Sequence, residues 1–143
     1  MKRLVLVIAC ALIDGENNAL LTQRPPGKAM AGLWEFPGVK CEAGETPEAC
    51  LIRELHEELG IAVAPHDLTP LYFASHSYGP AEGDFHLLMP LYVCRNWQGA
   101  CHPCEGQNLA WVGPAQLRDY AMPAADKPLI GPLQDWIKKV NNH

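Results

Sequence analysis

A short segment in the first half of the chain concentrates acidic side chains at helical spacing. The stretch Arg53-Glu54-Leu55-His56-Glu57-Glu58-Leu59 places three carboxylates at positions i, i+3 and i+4, on one side of a helix. Such carboxylates repel one another by about a few tenths of a kcal/mol per pair, and Arg53, four residues before Glu57, offsets part of this cost. A solvated helix surface would explain the pattern. Clustered carboxylates are also the hard oxygen ligands that Mg²⁺ and Mn²⁺ prefer, and spacing alone leaves both interpretations open.

The helix that carries these carboxylates has clear end signals. Thr46 is a typical N-cap, Pro47 suits the first helical position and Gly60 suits the residue after the end, so the sequence predicts a helix over 47–59. Its buried stripe is predicted from apolar residues at helical spacing, namely Ile52, Leu55 and Leu59. His56 lies near that stripe and is predicted to be a packed side chain. The carboxylates are therefore expected on the side away from the core.

The rest of the chain mixes strands with helices. Strand-like runs occupy about 3–14, 18–24, 34–41, 68–77 and 85–95, with a shorter one near 107–112. A second helix is predicted over about 126–141, and a shorter one after Pro114. This mixture predicts an α/β sandwich around a mixed sheet. The chain shows no repeat or linker, so residues 1–143 are predicted to form one domain.

The composition restricts the partners of the protein. Of 143 residues, 48% are hydrophobic and 19% charged, which is enough apolar surface for a core. Eleven basic and sixteen acidic residues give a net charge of −5, which argues against binding a nucleic acid polymer through bulk positive charge. A small phosphorylated ligand remains compatible, because a divalent metal offsets the like charge. Both a monomer and a homodimer fit the sequence.

The first apolar run, Leu4 to Ile13, has two possible origins. It follows Lys2 and Arg3 as in a signal peptide, and Val7-Ile8-Ala9-Cys10 resembles a lipoprotein cleavage site. It is, however, about half of the roughly 20 residues that a membrane span needs. A polar turn and a second apolar run follow it, which favours two strands joined by a turn. We therefore predict no membrane partner and a cytoplasmic location.

Six cysteines raise the question of a disulfide or zinc site. Only Cys101-His102-Pro103-Cys104 has metal or redox spacing, and no second pair completes a four-ligand zinc site. We expect reduced cysteines.

The acidic helix belongs to a longer pattern. Glu45, seven residues and then Arg53 to Ile61 resemble the signature of the Nudix hydrolases, and Trp34-Glu35-Phe36-Pro37-Gly38 resembles its entry in the MutT-like branch. Further matching features are Arg24, Glu105-Gly106-Gln107 and the run from Pro123 to Pro128. The resemblance spans nearly the whole chain, with the Nudix box at about 38–61. It implies the Nudix α/β/α sandwich, with a mixed β-sheet and the Nudix loop-helix-loop.

One position departs from the family pattern. The box normally opens with glycine six residues before Glu45, and here Val39 stands in that place, directly after the retained Gly38. Valine is strained at positive φ and brings a branched side chain where the backbone approaches phosphate. If the site needs only extended backbone at Val39, the change is mild. Otherwise the site is weakened.

The resemblance implies a metal-dependent hydrolysis, in which water attacks phosphorus in a nucleoside diphosphate linked to another group. The implied ligands of Mg²⁺, or of Mn²⁺ as a substitute, are the Gly38 carbonyl and the carboxylates of Glu54, Glu57, Glu58 and Glu105. Glu54 is the implied group that orients or deprotonates the water, and Glu105 is the other possible base. Arg53 is implied to hold the carboxylates by ion pairing, while Glu45 supports the loop at the helix start.

The substrate is a nucleoside triphosphate if the MutT-like resemblance holds, with monophosphate and pyrophosphate as products. Members of this branch often prefer oxidised guanine nucleotides, whereas a close branch prefers CTP and modified cytidine nucleotides. The implied nucleotide contacts are Arg24, Phe36 and Asp126, and Lys40 is a further candidate for phosphate binding. Asp126 stands where a guanine-selective relative has Asn. An ionised Asp only accepts hydrogen bonds, so it favours a base rich in N–H donors unless it is protonated. A helix N-cap also explains Asp126.

The leading hypothesis is therefore an Mg²⁺-dependent nucleoside triphosphate pyrophosphohydrolase that acts on oxidised or modified nucleotides of the nucleotide pool. One alternative is hydrolysis of CTP, of a modified cytidine nucleotide or of another nucleoside diphosphate derivative. Another is a nucleotide-binding domain whose catalysis is weakened by Val39.

Overall fold

Seven strands form two sheets in the computed structural model, which describes residues 2–141. The strands are β1 (Arg3–Leu12), β2 (Ala19–Gln23), β3 (Trp34–Glu35), β4 (Gly38–Lys40), β5 (Thr69–Tyr78), β6 (Phe85–Cys94) and β7 (Leu109–Val112). The larger sheet has the order β4-β1-β6-β5, with β1 and β6 parallel and the other neighbours antiparallel. The smaller sheet, β3-β2-β7, is antiparallel. The predicted mixed sheet is confirmed, and the smaller sheet is an addition to it.

Two helices complete the layers, α1 (Pro47–Leu59) and α2 (Lys127–Asn141). Alternate residues of β1 point to opposite faces of the larger sheet, and from Ile8 to Leu12 both sets are buried. Ile8, Cys10 and Leu12 pack with the buried residues of α1. Ala9 and Ala11 pack in the other cluster, which contains the buried residues of α2. The predicted α/β sandwich is thus present, with one helix on each face.

Residues 34–41, predicted as a single strand, form two short strands in different sheets. β3 pairs with β2 in the smaller sheet, whereas β4 pairs with β1 in the larger one. Pro37 lies between them, and because proline has no N–H it cannot extend a ladder as a donor. Its carbonyl accepts a hydrogen bond from Cys10 N at 2.8 Å. The chain therefore crosses between the sheets here and sets Gly38 beside β1.

The first two predicted strands also separate into different sheets. β1 lies in the larger sheet and β2 in the smaller one, and a single bridge between Ile13 and Ala19 links their ends. The turn between them is closed by Asp14, whose carboxylate accepts from Asn18 N at 2.8 Å. A polar turn was correctly predicted, but it joins the two sheets rather than forming a hairpin.

The ends of α1 are those predicted. Thr46 Oγ1 accepts a hydrogen bond from Ala49 N at 3.1 Å, and Pro47 is the first helical residue. Gly60 ends the helix with φ 74°, and its N–H donates to His56 O at 2.9 Å. This left-handed conformation is one that glycine adopts without steric cost.

The buried side of α1 differs from the prediction by one step of the helix. The fully buried residues are Cys50, Leu51, Leu55 and Leu59, whereas Ile52 is only partly buried. The loop before the helix carries Cys41, which packs beside the buried Cys50 in the first turn. The prediction that His56 is packed is wrong: it is exposed, because it lies on the far side from Leu51.

Loss of the Thr46 cap should measurably destabilise the protein. We expect Thr46→Ala to lower the free energy of unfolding by about 1 kcal/mol, since Ala49 N–H loses its hydrogen-bond acceptor. Thr46→Ser retains the oxygen and should stay close to the wild type in the same urea titration. Equal losses in both variants would show that the hydroxyl does not carry the effect.

The second predicted helix is present from Lys127, one residue later than expected, and a 3₁₀ helix at Pro114–Asp119 matches the predicted short helix. All six cysteines are free, as expected. Within residues 2–141, no helix combines the length and apolar character needed to cross a membrane.

Candidate active site

Three carboxylates converge where α1 meets the loop before β7. Glu54 and Glu58 lie one turn apart on α1, and Glu105 reaches them from that loop. One oxygen of each carboxylate lies within 4.8 Å of the others, and we call these three residues the acidic cluster. Such a group repels itself unless a cation is present. Hard oxygen ligands at this separation fit a divalent cation.

Burial makes the charges of the acidic cluster costly. Burial of Glu58, with the charges of Glu54 and Glu105, raises the pKa of its carboxyl to about 8. Burial also raises the pKa of Glu54, and Glu105 and Glu57 raise it further. Both pKa values rise because a carboxylate is hard to ionise away from water and beside other negative charges. A divalent cation would reverse this balance and favour the ionised forms.

The acidic cluster forms one wall of a cleft of about 570 Å³. Its other residues come from β1, β2, the loop after β2, the chain crossing at 35–40, β6 and the loop before β7. The lining residues that matter for chemistry are Arg24, Lys28, Glu35, Phe36, Gly38, Lys40, Glu54, Glu58, Glu105 and Gln107. The cleft therefore unites charged and amide side chains with the Gly38 backbone and an aromatic ring.

The structure places Glu57 apart from the acidic cluster. Glu57 is exposed, and its carboxylate lies 3.5 Å from Arg53 Nη1, which is the expected i, i+4 pair. Arg53 also donates two hydrogen bonds to Glu45, at 2.8 and 3.0 Å. Arg53 thus ties α1 to the loop before it, in agreement with the expected supporting role of Glu45. A role of Glu57 as a metal ligand remains a prediction.

The departure from the family pattern at Val39 is accommodated by the strand. Val39 pairs with Ile8 across β4 and β1 and is not among the residues with positive φ. Gly38 is the position that needs glycine, since a Cβ there would lie 2.9 Å from Ile8 O. The extended backbone at Val39 is the mild case considered from the sequence.

This geometry predicts opposite outcomes at two adjacent positions. Val39→Gly should leave kcat/KM within about threefold of the wild type. It should cost more stability than the about 0.5–1 kcal/mol that separates glycine from alanine in a strand, because the Val39 side chain packs against the core cluster of α1. Gly38→Ala should lower both activity and stability, because the new methyl group clashes with the β1 backbone. Steady-state kinetics and thermal melts of the two variants test this. A large gain of activity in Val39→Gly would show that valine weakens the site.

Arg24 is an organiser of the cleft in this structure. Its Nη1 donates to both carboxylate oxygens of Glu35, at 3.0 and 3.2 Å, and its Nε donates to Ala29 O at 2.8 Å. Burial raises the pKa of Glu35, and the opposing charge of Arg24 limits that rise. The guanidinium neutralises Glu35 and holds the loop after β2. Less of its positive charge is therefore available to bind a phosphate.

Asp126 lies behind the cleft. Its side chain is 3% exposed, and Oδ2 accepts a hydrogen bond from Phe36 N at 3.4 Å. Burial raises the pKa of Asp126 to about 8, and the nearby charge of Glu35 contributes. A pKa raised in this way favours the protonated carboxyl, which can both donate and accept a hydrogen bond. Asp126 also directly precedes Lys127, the first residue of α2, so its role as a helix N-cap stays a prediction.

Lys28 and Gln107 are two cleft residues, besides Glu35, that were not assigned a role from the sequence. Lys28 lies in a loop rich in proline and glycine, where spacing gives no signal, and its position depends on how Arg24 holds that loop. Gln107 is part of a motif noted in the sequence, but its contacts with Glu105 and Glu58 depend on the folded loop. The sequence signal that could have identified Gln107 is its position as a polar residue two places after Glu105, a candidate metal ligand.

The fold and the acidic cluster define the class to which this protein belongs. The sequence matches the family model described as the NUDIX domain over residues 8–131, and the chain belongs to that family.

The chain is also similar to individual proteins of known name. The chain is 36% identical over 131 residues to the 8-oxo-dGTP diphosphatase of Escherichia coli K12, covering 90% of this chain and 96% of the relative. It is 34% identical over 126 residues to the CTP pyrophosphohydrolase of the same organism, covering 88% and 89%. A solved structure from a study of MutT of Aliivibrio salmonicida and Vibrio cholerae superimposes with a TM-score of 0.77 at 29% identity, covering 94% of this chain and 99% of that one.

Proposed function

We propose that this protein is an Mg²⁺-dependent nucleoside triphosphate pyrophosphohydrolase that releases a nucleoside monophosphate and pyrophosphate. The observation that carries the proposal is the acidic cluster of Glu54, Glu58 and Glu105 in the wall of a cleft of about 570 Å³. This volume lies within the range of about 300–1,000 Å³ that is typical of pockets for small ligands, so a nucleotide fits it. The relatives named 8-oxo-dGTP diphosphatase and CTP pyrophosphohydrolase support the same chemistry.

The residues of the acidic cluster hold the metal in this proposal. The bound cation supplies charge neutralisation at the phosphates and makes a water molecule easier to deprotonate. Glu54, Glu58 and Glu105 provide carboxylate oxygens, and Gly38 lines the same cleft with its backbone. Glu54 orients the attacking water and accepts its proton, with Glu105 as the alternative base. Glu57 joins as a ligand only if its carboxylate leaves Arg53.

Lysines of the cleft bind the triphosphate in this proposal. Lys28 and Lys40 both line the cleft, and the charge of Lys28 acts on Glu35 and Glu54. Arg24 is already bonded to Glu35, so we assign it to holding the loop and the base pocket. The triphosphate carries several negative charges beside an acidic wall. These two ammonium groups therefore complement the metal in neutralising it.

In this proposal the nucleoside lies deeper in the cleft, beside Phe36, and reaches the buried Asp126 behind that residue. Phe36 lines the cleft but is 2% exposed, so little of its ring is open to the base. Protonated Asp126 offers one donor and one acceptor, as the Asn of a guanine-selective relative does. This favours an oxidised guanine nucleotide. A cytidine nucleotide is the second candidate, favoured by the CTP pyrophosphohydrolase relative.

In the cell, the proposal places the protein in the cytoplasm, where it removes modified nucleotides from the pool and so limits errors in DNA. The whole of residues 1–143 serves as one domain, and no nucleic acid polymer is required as a partner.

Product analysis on a nucleotide panel with Mg²⁺ tests this function. The panel contains 8-oxo-dGTP, dGTP, CTP, dCTP, ATP, ADP-ribose and a dinucleoside polyphosphate. Monophosphate and pyrophosphate from a triphosphate, abolished by EDTA and restored by Mg²⁺, are the expected result. Turnover of ADP-ribose or the dinucleoside polyphosphate alone would assign a different substrate class. Silence across the panel, with the fold intact, would favour a nucleotide-binding domain without catalysis.

A further inference from the structure

Gln107 connects two residues of the acidic cluster. Its Oε1 accepts a hydrogen bond from Glu105 N at 3.0 Å. Its Nε2 donates to the Glu58 backbone O at 3.2 Å and to Glu58 Oε1 at 3.5 Å. The side chain is partly buried in the wall of the cleft. A single amide therefore contacts the loop that carries Glu105 and the end of α1 that carries Glu58.

The surrounding loop is built to bring Gln107 to this place. The last carbonyls of a helix lack partners within the helix, and here the loop supplies donors to them. Cys104 N donates to Glu58 O at 3.1 Å, and His102 N donates to Leu59 O at 2.9 Å. Gly106 then adopts φ 74°, a left-handed conformation that turns the chain back towards α1. Gln107 follows directly and closes the connection.

Without that connection, the acidic cluster would tend to open. Glu105 is exposed on its loop, and its negative charge is repelled by Glu54 and Glu58, whose pKa values it raises. An amide suits the position because it donates to a carboxylate and accepts from an N–H without adding charge. A carboxylate in its place would bring a further negative charge into the cluster.

We propose that Gln107 is a positioning residue that holds Glu58 and Glu105 at the separation a divalent cation requires. It does not touch the ion. It fixes two ligands before binding, so that less ordering is needed when the ion arrives. Residues that orient metal ligands in this way commonly change metal affinity by about 10- to 100-fold when they are replaced. The inference rests on the proposed function only in its metal requirement.

The test measures Mn²⁺ binding to the protein without nucleotide. Gln107→Met keeps the length of the side chain and removes its three hydrogen bonds. We expect its Kd for Mn²⁺, from calorimetry or from the free-ion EPR signal, to rise about tenfold or more. The matched control is Gln134→Met on α2, which also loses a side-chain bond to a backbone carbonyl, at 2.8 Å from Pro114 O. The control should bind Mn²⁺ as the wild type does.

Kinetics supply a second readout. If the wild type turns over a nucleotide, Gln107→Met should need more Mg²⁺ for half-maximal activity, and kcat at saturating Mg²⁺ should fall much less. Gln107→Asn, which retains a shorter amide, serves if the methionine variant melts early. A folded Gln107 variant with Mn²⁺ affinity within about twofold of the wild type would overturn the proposal, as would a wild type that binds no Mn²⁺. If no nucleotide of the panel were hydrolysed, the Mn²⁺-binding result would remain valid and only the proposed function would be contradicted.

Discussion

Glu54→Gln is expected to lower kcat by about 10²- to 10⁴-fold, the range that loss of a general base produces. Glutamine keeps the shape of the side chain but cannot accept the proton of the attacking water. It also removes one negative charge from the acidic cluster. Both changes act on the reacting end of the substrate, so the loss should appear in kcat more than in KM. Steady-state kinetics at saturating Mg²⁺ on the best nucleotide of the panel measure it.

The stability of this variant separates chemistry from misfolding. In the metal-free protein, Glu54 is repelled by Glu105 and Glu57, so a neutral side chain should leave the melting temperature unchanged or raise it. Glu82→Gln, at a partly exposed position in the 3₁₀ turn at Pro80–Glu82, is the charge-matched control and should retain full activity. If Glu54→Gln keeps wild-type kcat while Glu105→Gln loses it, the base is Glu105. If both variants keep kcat, neither carboxylate acts as the base.

Local sequence signals were sufficient to predict α1 and the acidic residues on it. Thr46, Pro47 and Gly60 act through their own backbone preferences, so a cap or a left-handed turn can be predicted without knowing the rest of the fold. Glu54 and Glu58 share a side of the helix for the same local reason. Local signals were not sufficient to predict the full acidic cluster, because Glu105 lies far along the chain from Glu54 and Glu58. Glu105 was identified by its resemblance to a family motif and not by its spacing.

The errors in the sequence-based predictions arise where long-range packing decides the structure. Residues 34–41 form two strands because the chain pairs with β2 before Pro37 and with β1 after it, and these partners belong to different sheets. His56 is exposed because α1 packs against the sheet through Leu51 and Leu55. The spacing of apolar residues alone does not determine how the helix is rotated about its axis. Glu57 is not among these errors: it pairs with Arg53, and its role as a metal ligand stays a prediction. Sequence patterns define faces of a helix, whereas the neighbouring elements define what each face meets.

Asp126→Asn is expected to make folding stability less dependent on pH. The pKa of this carboxyl is raised from 3.8 to about 8 in the folded protein, so the folded state retains a proton that the unfolded chain releases. The stabilisation from that proton is complete below the unfolded pKa, declines as the pH rises, and is lost once the pH passes about 8. A tenfold difference between the two proton affinities corresponds to about 1.4 kcal/mol, so the variant should gain on the wild type by several kcal/mol between pH 4 and pH 8.

Comparison of the two proteins isolates this one group. Other carboxyls, including Glu58, titrate in both, so their contributions largely cancel in the difference between melting temperatures. Asp119→Asn, at an exposed position, is the control and should follow the wild type at every pH. A difference between Asp126→Asn and the wild type that stays constant from pH 4 to pH 9 would contradict a protonated Asp126.

The same proton should govern how the protein binds its nucleotide. Below pH 8 the Asp126 carboxyl donates and accepts like an amide, so Asp126→Asn should retain a KM close to that of the wild type. As the pH rises past about 8, the wild type loses the donor and its KM should increase, by about tenfold if one hydrogen bond to the base is lost, while the variant shows no such rise. The ratio of the two KM values, measured on one nucleotide from pH 6.5 to pH 9.5, removes effects that both proteins share. A ratio that does not change with pH would mean that Asp126 supports Phe36 from behind the cleft without contacting the base, and that selectivity resides in the residues that line it.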